Sequence, residues 1–426
     1  MASGTRSSWP TRLRGGATGG TMHNYSFVRR TLAAACAAWA INATFVMPAL
    51  ADDVIHLGMT VPMSGAGASW GMSAEWVAQM AVKYVNDHGG VNVNGKIYHY
   101  AVTAYDNKYT AADGVKVAQT MFNRDGIRYV VFGMSTQAVA ATQSMSERAG
   151  ILMFTVSWSN SIKGPKYPLT FTITNTPTEF LGPLYTLVKK QNPSIKTIAL
   201  ISPNDAADEE AVASAMPHLK ALGIQVLTYV KYERGTTEFQ PVATKVVQTK
   251  PDAIDTLGAP PGDIGVLYRA IADQGWNGVR IASAGTVSDA VIRTGGKAVE
   301  NLYMGLGADF AGPNATPVQR QVAAAFEPAM HEPLDIAGMS AWEAVMALKA
   351  GMEKSGSIDP RVVAQTLPKI TFESSYGPAA FGGASTYGTP QEMLLPVIIT
   401  QIRNGKVVEL ARIPSPELEK RVAQAK

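Results

Sequence analysis

The side chains in this sequence that could do chemistry are hydroxyls and indoles gathered where apolar runs end. The run "ILMFTV" (151–156) gives way to Ser157, Trp158, Ser159 and Asn160, and "RYVVFG" (128–133) gives way to Met134, Ser135, Thr136 and Gln137. A third loop, "PMSGAGASWG" (62–71), carries Ser64, Ser69 and Trp70. Hydroxyls at such places donate hydrogen bonds to an anion, and indole faces pack on an apolar body. Both types also have ordinary structural uses. Ser157 and Ser159 could cap the turn that follows them, and a large aromatic is at home in a core.

The residues that would make an enzyme are not assembled. The histidines at 23, 56, 88, 99, 218 and 331 stand singly, with no second ligand at metal spacing, so no metal is expected. Neither Gly71-Met-Ser73-Ala-Glu75 nor Gly133-Met-Ser135-Thr-Gln137 completes a nucleophile elbow. Ser64-Gly-Ala-Gly67-Ala-Ser-Trp70-Gly71 follows a strand and opens a helix, but its third glycine is out of register for a dinucleotide site. There is no P-loop lysine. The sequence therefore predicts no cofactor and a protein that binds and releases rather than an enzyme.

The elements that position these groups alternate between two periods. Strand "VIHLGMTV" (54–61) precedes Trp76, Val77, Met80, Ala81, Tyr84 and Val85 at helical spacing. Strand, helix, strand, helix and strand follow through residue 156. The grammar restarts after "NTPTE" (175–179), with strands "TIALIS", "IQVLTYV", "DAIDTLG" and "VRIASA". Two doubly wound parallel sheets of an α/β protein are expected, because such alternation builds right-handed crossovers. A long helix (335–356) and two late strands around Asn404-Gly405 complete them. Ligands of open parallel sheets sit beyond the carboxyl ends of the strands. That rule marks the loops 62–71, 133–137, 157–160 and, in the second half, "SPNDAAD" (202–208).

The front of the chain reads as a leader. Residues 1–51 hold five arginines and no acid, then the apolar run "TLAAACAAWAINATFVMPALA", ending in Ala49-Leu50-Ala51. A secretory signal peptide cut before Asp52, and hence a periplasmic location, is expected; Met22 is a more ordinary start than Met1. Taking those five arginines from the 37 basic residues leaves 32 against 33 acids, a net charge of −1, so the formal +4 belongs to the leader. No basic patch with interleaved aromatics points to nucleic acid. The one cysteine, Cys36, lies in the leader, so no disulfide is expected beyond it.

These residues carry a resemblance. "IHLGMTVPMSGAGASWG", "AVKYVNDHGGVNVNGKIYHYAVTAYDNKYTAADGVKVAQTMF", "ILMFTVSWSN", "PTEFLGPLYTLVKKQNPSIKTIALIS", "VLYRAIADQGW" and "SSYGPAAFG" with "IITQIRNGKVVEL" resemble the leucine/isoleucine/valine-binding family, type I periplasmic solute-binding proteins of ABC importers. The resemblance runs over residues 53–412. It implies two lobes joined by a three-crossing hinge, one from 53–175 plus 306–385 and the other from 176–305 plus 386–426. It implies closure on a small molecule, a membrane permease and ATPase as partners, and a monomer. It also implies site residues: Trp70 covering the ligand, Ser135, Thr136 and Gln137 on its carboxylate, Ser157 and Ser159 at the strand end with Trp158 between them, and Trp342 facing the cleft.

The second lobe departs from the family pattern. The position of the ammonium-binding acid falls at about Gly285, and the two aromatic positions fall near Ala207 and at Pro260 or Pro261. Asp205, Asp208 or Asp263 would have to take the ammonium, since burying it unpaired is costly. The expected ligand is a small carboxylate with an apolar or aromatic body. Branched-chain amino acids, amides or urea are the alternatives, and a ligand-sensing subunit is the alternative role.

Overall fold

The computed structural model describes residues 53–65, 67–285 and 289–425. The expected leader and its cleavage point before Asp52 lie outside the described residues. The strands run β1 (Asp53–Val61), β2 (Val91–Val93), β3 (Lys96–Asp106), β4 (Tyr129–Gly133), β5 (Leu152–Thr155) and β6 (Thr170–Thr172). After these come β7 (Thr197–Pro203), β8 (Gln225–Tyr232), β9 (Ala253–Asp255), β10 (Val279–Ala282) and β11 (Tyr303–Met304). The set closes with β12 (Thr371–Ser374), β13 (Gly377–Gly382), β14 (Glu392–Met393), β15 (Val397–Arg403) and β16 (Lys406–Ile413). Between them lie α1 (Ala68–Asp87), α2 (Ala111–Gln119), α3 (Thr136–Ala149), α4 (Pro177–Gln191), α5 (Ala206–Ala221), α6 (Gln240–Val247) and α7 (Pro261–Ala272). The later helices are α8 (Asp289–Gly295), α9 (Pro317–Met330), α10 (Ile336–Ser355), α11 (Pro360–Thr366), α12 (Ala384–Tyr387) and α13 (Pro416–Ala425).

Two sheets result, in the orders β12-β13-β14-β6-β5-β4-β1-β3-β2 and β16-β15-β11-β10-β9-β7-β8. In the first, β1 lies between β3 and β4 and pairs with both in parallel. In the second, β7 lies between β8 and β9 in the same way. Each is a point where the winding reverses, and the loops leaving the strands there splay apart to leave a crevice. Helices cover both faces, so interior strands such as β4 are buried at every residue, which is why "YVVFG" reads as a continuous apolar run. One core lies between the first sheet and α1 with α10, and a smaller one gathers Met121, Val139 and Met153 on its other face. The second sheet is likewise buried on two sides.

The chain passes between the lobes at 173–176, 305–308 and 394–396. The third passage is later than the expected boundary at 385/386, because β14 pairs with β13 and β6 and so belongs to the first sheet. The C-terminal helix is a further correction. After β16 the chain returns, and α13 docks on the first lobe: Gly383 N–H donates to Glu417 Oε2 at 2.9 Å and Arg421 Nη1 to the Pro368 carbonyl at 3.0 Å. The hinge side carries a buried ion pair, Lys163 with Glu392, both nearly without exposure. The Lys163 ammonium stands 3.6 Å from the Tyr387 ring centre, and the Tyr387 hydroxyl donates to Glu179 in the first turn of α4. Burial pushes the Glu392 carboxyl up, and the Lys163 charge opposes the shift.

Candidate binding cleft

A cleft of about 650 Å³, its mouth included, opens between the lobes where the two winding reversals face each other. The first lobe supplies Trp70, Tyr109, Met134, Ser135, Thr136, Val156, Trp158 and Thr174, and the second supplies Ala207, Asp208, Arg234, Gly258 and Ala284. Leu306, Ile336, Ala337 and Ser340 close it on the hinge side. Three aromatic rings in a mostly aliphatic frame with a few convergent polar groups are the composition of a small-molecule pocket.

The first-lobe wall is built by the loops after β1, β3 and β4, and one buried side chain ties them together. Asn107 Nδ2 donates to the Met134 carbonyl at 2.8 Å and to Thr60 Oγ1 at 3.1 Å, while its Oδ1 accepts the Tyr109 N–H at 2.9 Å. This short turn holds Lys108 and Tyr109 in the left-handed region, φ 50° and 61°, and so turns the Tyr109 ring towards Trp70, 6.3 Å away between centres. An asparagine that bonds its own backbone two residues on makes such a turn possible.

Ser135 is the N-cap of α3 and sits at φ 85°, ψ 109°, a conformation that non-glycine residues adopt rarely. Its Oγ accepts the Ala138 N–H at 3.3 Å. Thr136 Oγ1 accepts from Ser157 Oγ at 3.1 Å and from the Trp158 N–H at 3.4 Å. Both bonds use the oxygen's lone pairs, and the hydroxyl proton is spent in neither. Ahead of the capped Ala138, the Thr136 and Gln137 N–H groups of that first turn have no carbonyl four residues earlier to bond. Donors of this kind, at the positive end of a helix, suit an anion.

The strained Ser135 backbone gives a testable outcome. Ser135→Gly is expected to raise unfolding stability by about 1 kcal/mol, as relief of strain outweighs the glycine's extra chain entropy. Ser135→Ala keeps the strain and gains nothing. Urea unfolding of both ligand-free variants checks this; equal stabilities would show that the backbone there is not strained.

Of the three residues expected at this strand end, Trp158 lines the cleft and Ser157 and Ser159 do not. Side chains alternate beyond β5, and it is Val156 and Trp158 that line the cleft, while Ser157 turns to Thr136 and acts as a positioning residue. Ser159 is not a lining residue either. Its Oγ donates to Glu210 Oε1 on α5 at 2.6 Å, and the Asn160 N–H donates to Glu210 Oε2 at 2.9 Å, so this turn is a fastening across the mouth of the cleft. The Trp158 ring meets Phe180 of α4 edge-on, 5.8 Å between centres, and thus spans both lobes. Glu210→Ala removes both bonds and is expected to weaken ligand binding about fivefold, chiefly through a faster koff. Stopped-flow release kinetics measures it; an unchanged koff would mean the fastening is idle.

Other expected positions also move. Trp342 is buried in the first-lobe core against Tyr84, 5.2 Å between centres, because α10 turns Ile336, Ala337 and Ser340 to the cleft and residue 342 points elsewhere. Gln137 donates Nε2 to the Tyr109 carbonyl at 2.7 Å and does not line the cleft. Gly285 and Pro260 stand back from it, and their neighbours Ala284 and Gly258 form the wall instead. Asp205 caps α5, accepting from the Ala207 and Asp208 N–H groups, and pairs with Arg234. Asp263 accepts from the Tyr232 hydroxyl at 2.9 Å and lies outside the lining.

Among the three second-lobe acids, Asp208 is the one in the wall. Its Oδ2 pairs with Arg234 Nη2 at 3.2 Å. Burial first, then the Asp205 charge, holds its carboxyl well above the ordinary range. Burial opposes the Arg234 charge, but Tyr109, Asp205 and Asp208 more than offset it, so Arg234 stays cationic. The guanidinium lies 4.5 Å from the Tyr109 ring centre, a cation–π contact from lobe to lobe. Sequence reasoning missed Asn107, Tyr109, Thr174 and Arg234. The signal was present for three of them, since Asn107, Tyr109 and Arg234 follow β3 and β8, whose ends belong to the same two crevices.

Among the described residues no helix is long and apolar enough to cross a membrane and no cluster could hold a metal. A family model described as periplasmic binding protein matches residues 54–406. The chain is 26% identical over 343 residues to the leucine-, isoleucine-, valine-, threonine- and alanine-binding protein of Pseudomonas aeruginosa, covering 80% of this chain and 88% of that one. Its fold matches a leucine-binding protein from Thermotoga maritima with a TM-score of 0.73 at 16% identity, over 85% of this chain and all of the other. It matches equally a solute-binding protein of an ABC transporter from Rhodopseudomonas palustris in complex with 3,4-dihydroxybenzoic acid, TM-score 0.73 at 18% identity, over 87% and 100% of the two chains. The chain belongs to the periplasmic binding protein family, in the group that includes the leucine/isoleucine/valine-binding proteins.

Proposed function

We propose that this protein is the periplasmic binding component of an ABC importer and closes its lobes on a small carboxylate with an apolar, aromatic body. The observation that carries the reading is the composition of the cleft: Ser135 and Thr136 at a helix start, lining it together with Trp70, Tyr109 and Trp158. The carboxylate takes the hydroxyls and the first-turn N–H groups, and the body of the ligand lies among the rings. Hinge closure then joins the second-lobe wall to the ligand, and the closed form is what a permease and ATPase would receive. A binding role accords with the relatives, whose names are those of binding proteins.

Branched-chain amino acids are the second reading, favoured by the placement of Asp208 in the wall and by the name of the Pseudomonas relative. Thermal unfolding with benzoate, phenylpropanoate, leucine and urea separates the two, because a ligand that binds only the folded state raises the melting temperature. A rise with the aromatic acids and none with leucine is expected. A rise with leucine alone overturns the ligand assignment and leaves the binding role standing.

A further inference from the structure

The second-lobe wall holds one buried carboxyl oxygen that lacks a well-formed hydrogen bond. Asp208 has no exposed surface, its Oδ2 is taken by Arg234, and its Oδ1, whose one polar neighbour is the Gly258 backbone, makes no well-formed hydrogen bond. That oxygen lies against Gly258, another wall residue, so closely that a Cβ there would come within 2.0 Å of it. Arg234 beside it is held by Asp205 and by the Tyr109 ring. A buried acceptor left open next to a fixed donor is a site that lacks its complement.

We infer that Asp208 and Arg234, set in place by Asp205 and Tyr109, form a second polar subsite that takes a hydroxyl group carried on the aromatic body of the carboxylate ligand. The inference rests on the ligand reading above. A hydroxyl fits because it is both donor and acceptor: its proton goes to Asp208 Oδ1 and its lone pair faces the guanidinium. An ammonium has donors only and carries the same charge as Arg234. A second carboxylate has acceptors only and would meet two carboxyl groups. A bare ring edge leaves Oδ1 unpaired in a site from which closure has expelled water. Sites built to bond a hydroxyl discriminate strongly against the analogue that lacks it.

Calorimetric titration of the protein with benzoate, 3-hydroxybenzoate, 4-hydroxybenzoate and leucine tests this. At least one hydroxybenzoate is expected to bind about tenfold or more tightly than benzoate. In Asp208→Ala that ratio is expected to fall to about twofold or less, whatever happens to the absolute affinities. The comparison of ligands on the unaltered protein stands even where the variant does not fold. Equal affinity for benzoate and both hydroxybenzoates overturns this inference alone, as does a hydroxyl preference that survives in Asp208→Ala. Binding of leucine with no response to any aromatic acid overturns the ligand reading and this inference with it.

Discussion

Arg234→Met is expected to lower the stability of the ligand-free protein by about 3 kcal/mol, the low end of the range for removing one partner of a buried ion pair. Arg234 is paired to Asp205 and to Asp208, whose side chains are 10% and 0% exposed, so methionine leaves two carboxyl groups with one another and no cation. Asp205 keeps the two N–H groups it caps but loses its counter-charge. The lost charge also faces the Tyr109 ring from the other lobe, so the closed arrangement weakens along with the second lobe. Guanidinium unfolding gives the stability, and small-angle scattering of the ligand-free variant gives the lobe opening. Arg234→Lys is expected to recover only part of the loss, since an ammonium cannot fork to both acids and lie flat on the ring. A variant as stable as the parent would mean that water replaces the guanidinium at no cost.

A loss of stability between acid and neutral pH is the second large effect, and Glu343 is its source. This carboxyl on α10 has no exposed surface, and the Ser375 N–H donates to its two oxygens at 3.0 and 3.3 Å. Burial raises it to about 7, against which the Ser375 bonds work in the other direction. The unfolded chain releases this proton near its ordinary value of 4.5. Between those two values the folded state binds more protons than the unfolded state, so the stabilisation present below 4.5 is lost as pH rises through 7. Asp335, raised to about 6 by burial, acts with the same sign over a lower window. Glu343→Gln keeps the shape and removes the charge. It is expected to be about 3 kcal/mol more stable than the parent at pH 8, and nearly equal to it at pH 4.5. Denaturant unfolding of both proteins at the two pH values measures the difference; an offset independent of pH would assign the gain to packing instead of titration.

The fold was legible because its signals are local and repeated. Runs such as "YVVFG" must be buried on both faces, helices such as α3 begin at a capping residue and stop at a left-handed glycine, Gly150, and the strand–helix alternation admits few topologies. Strand ends were legible for the same reason and marked the loops that hold Trp70, Ser135 and Thr136, which the family resemblance then singled out. The side of the chain facing the cleft was not. A strand's parity flips with one residue of offset, and past the end of β5 nothing local fixes it, which is how Ser157 and Ser159 were expected in a wall that Trp158, expected beside them, shares instead with Val156. Trp342 failed on a similar count, since the angular position of a side chain on α10 depends on which turn meets the hinge.

By itself, then, the sequence determined two wound sheets, their order along the chain, the crevices at their carboxyl edges and a family whose members bind small molecules. The sheets, their order and their crevices follow from burial and backbone geometry acting over neighbouring residues, and the family from the likeness of whole stretches of sequence. Only the tertiary structure decided that Asn107 joins three loops, that Arg234 reaches across to Tyr109, that Glu210 fastens the mouth and that Asp208 alone among three acids enters the wall. Each of these is an interaction between residues at least 26 apart in the chain or on separate loops, set by the docking of one lobe or loop on another, and no periodicity encodes it.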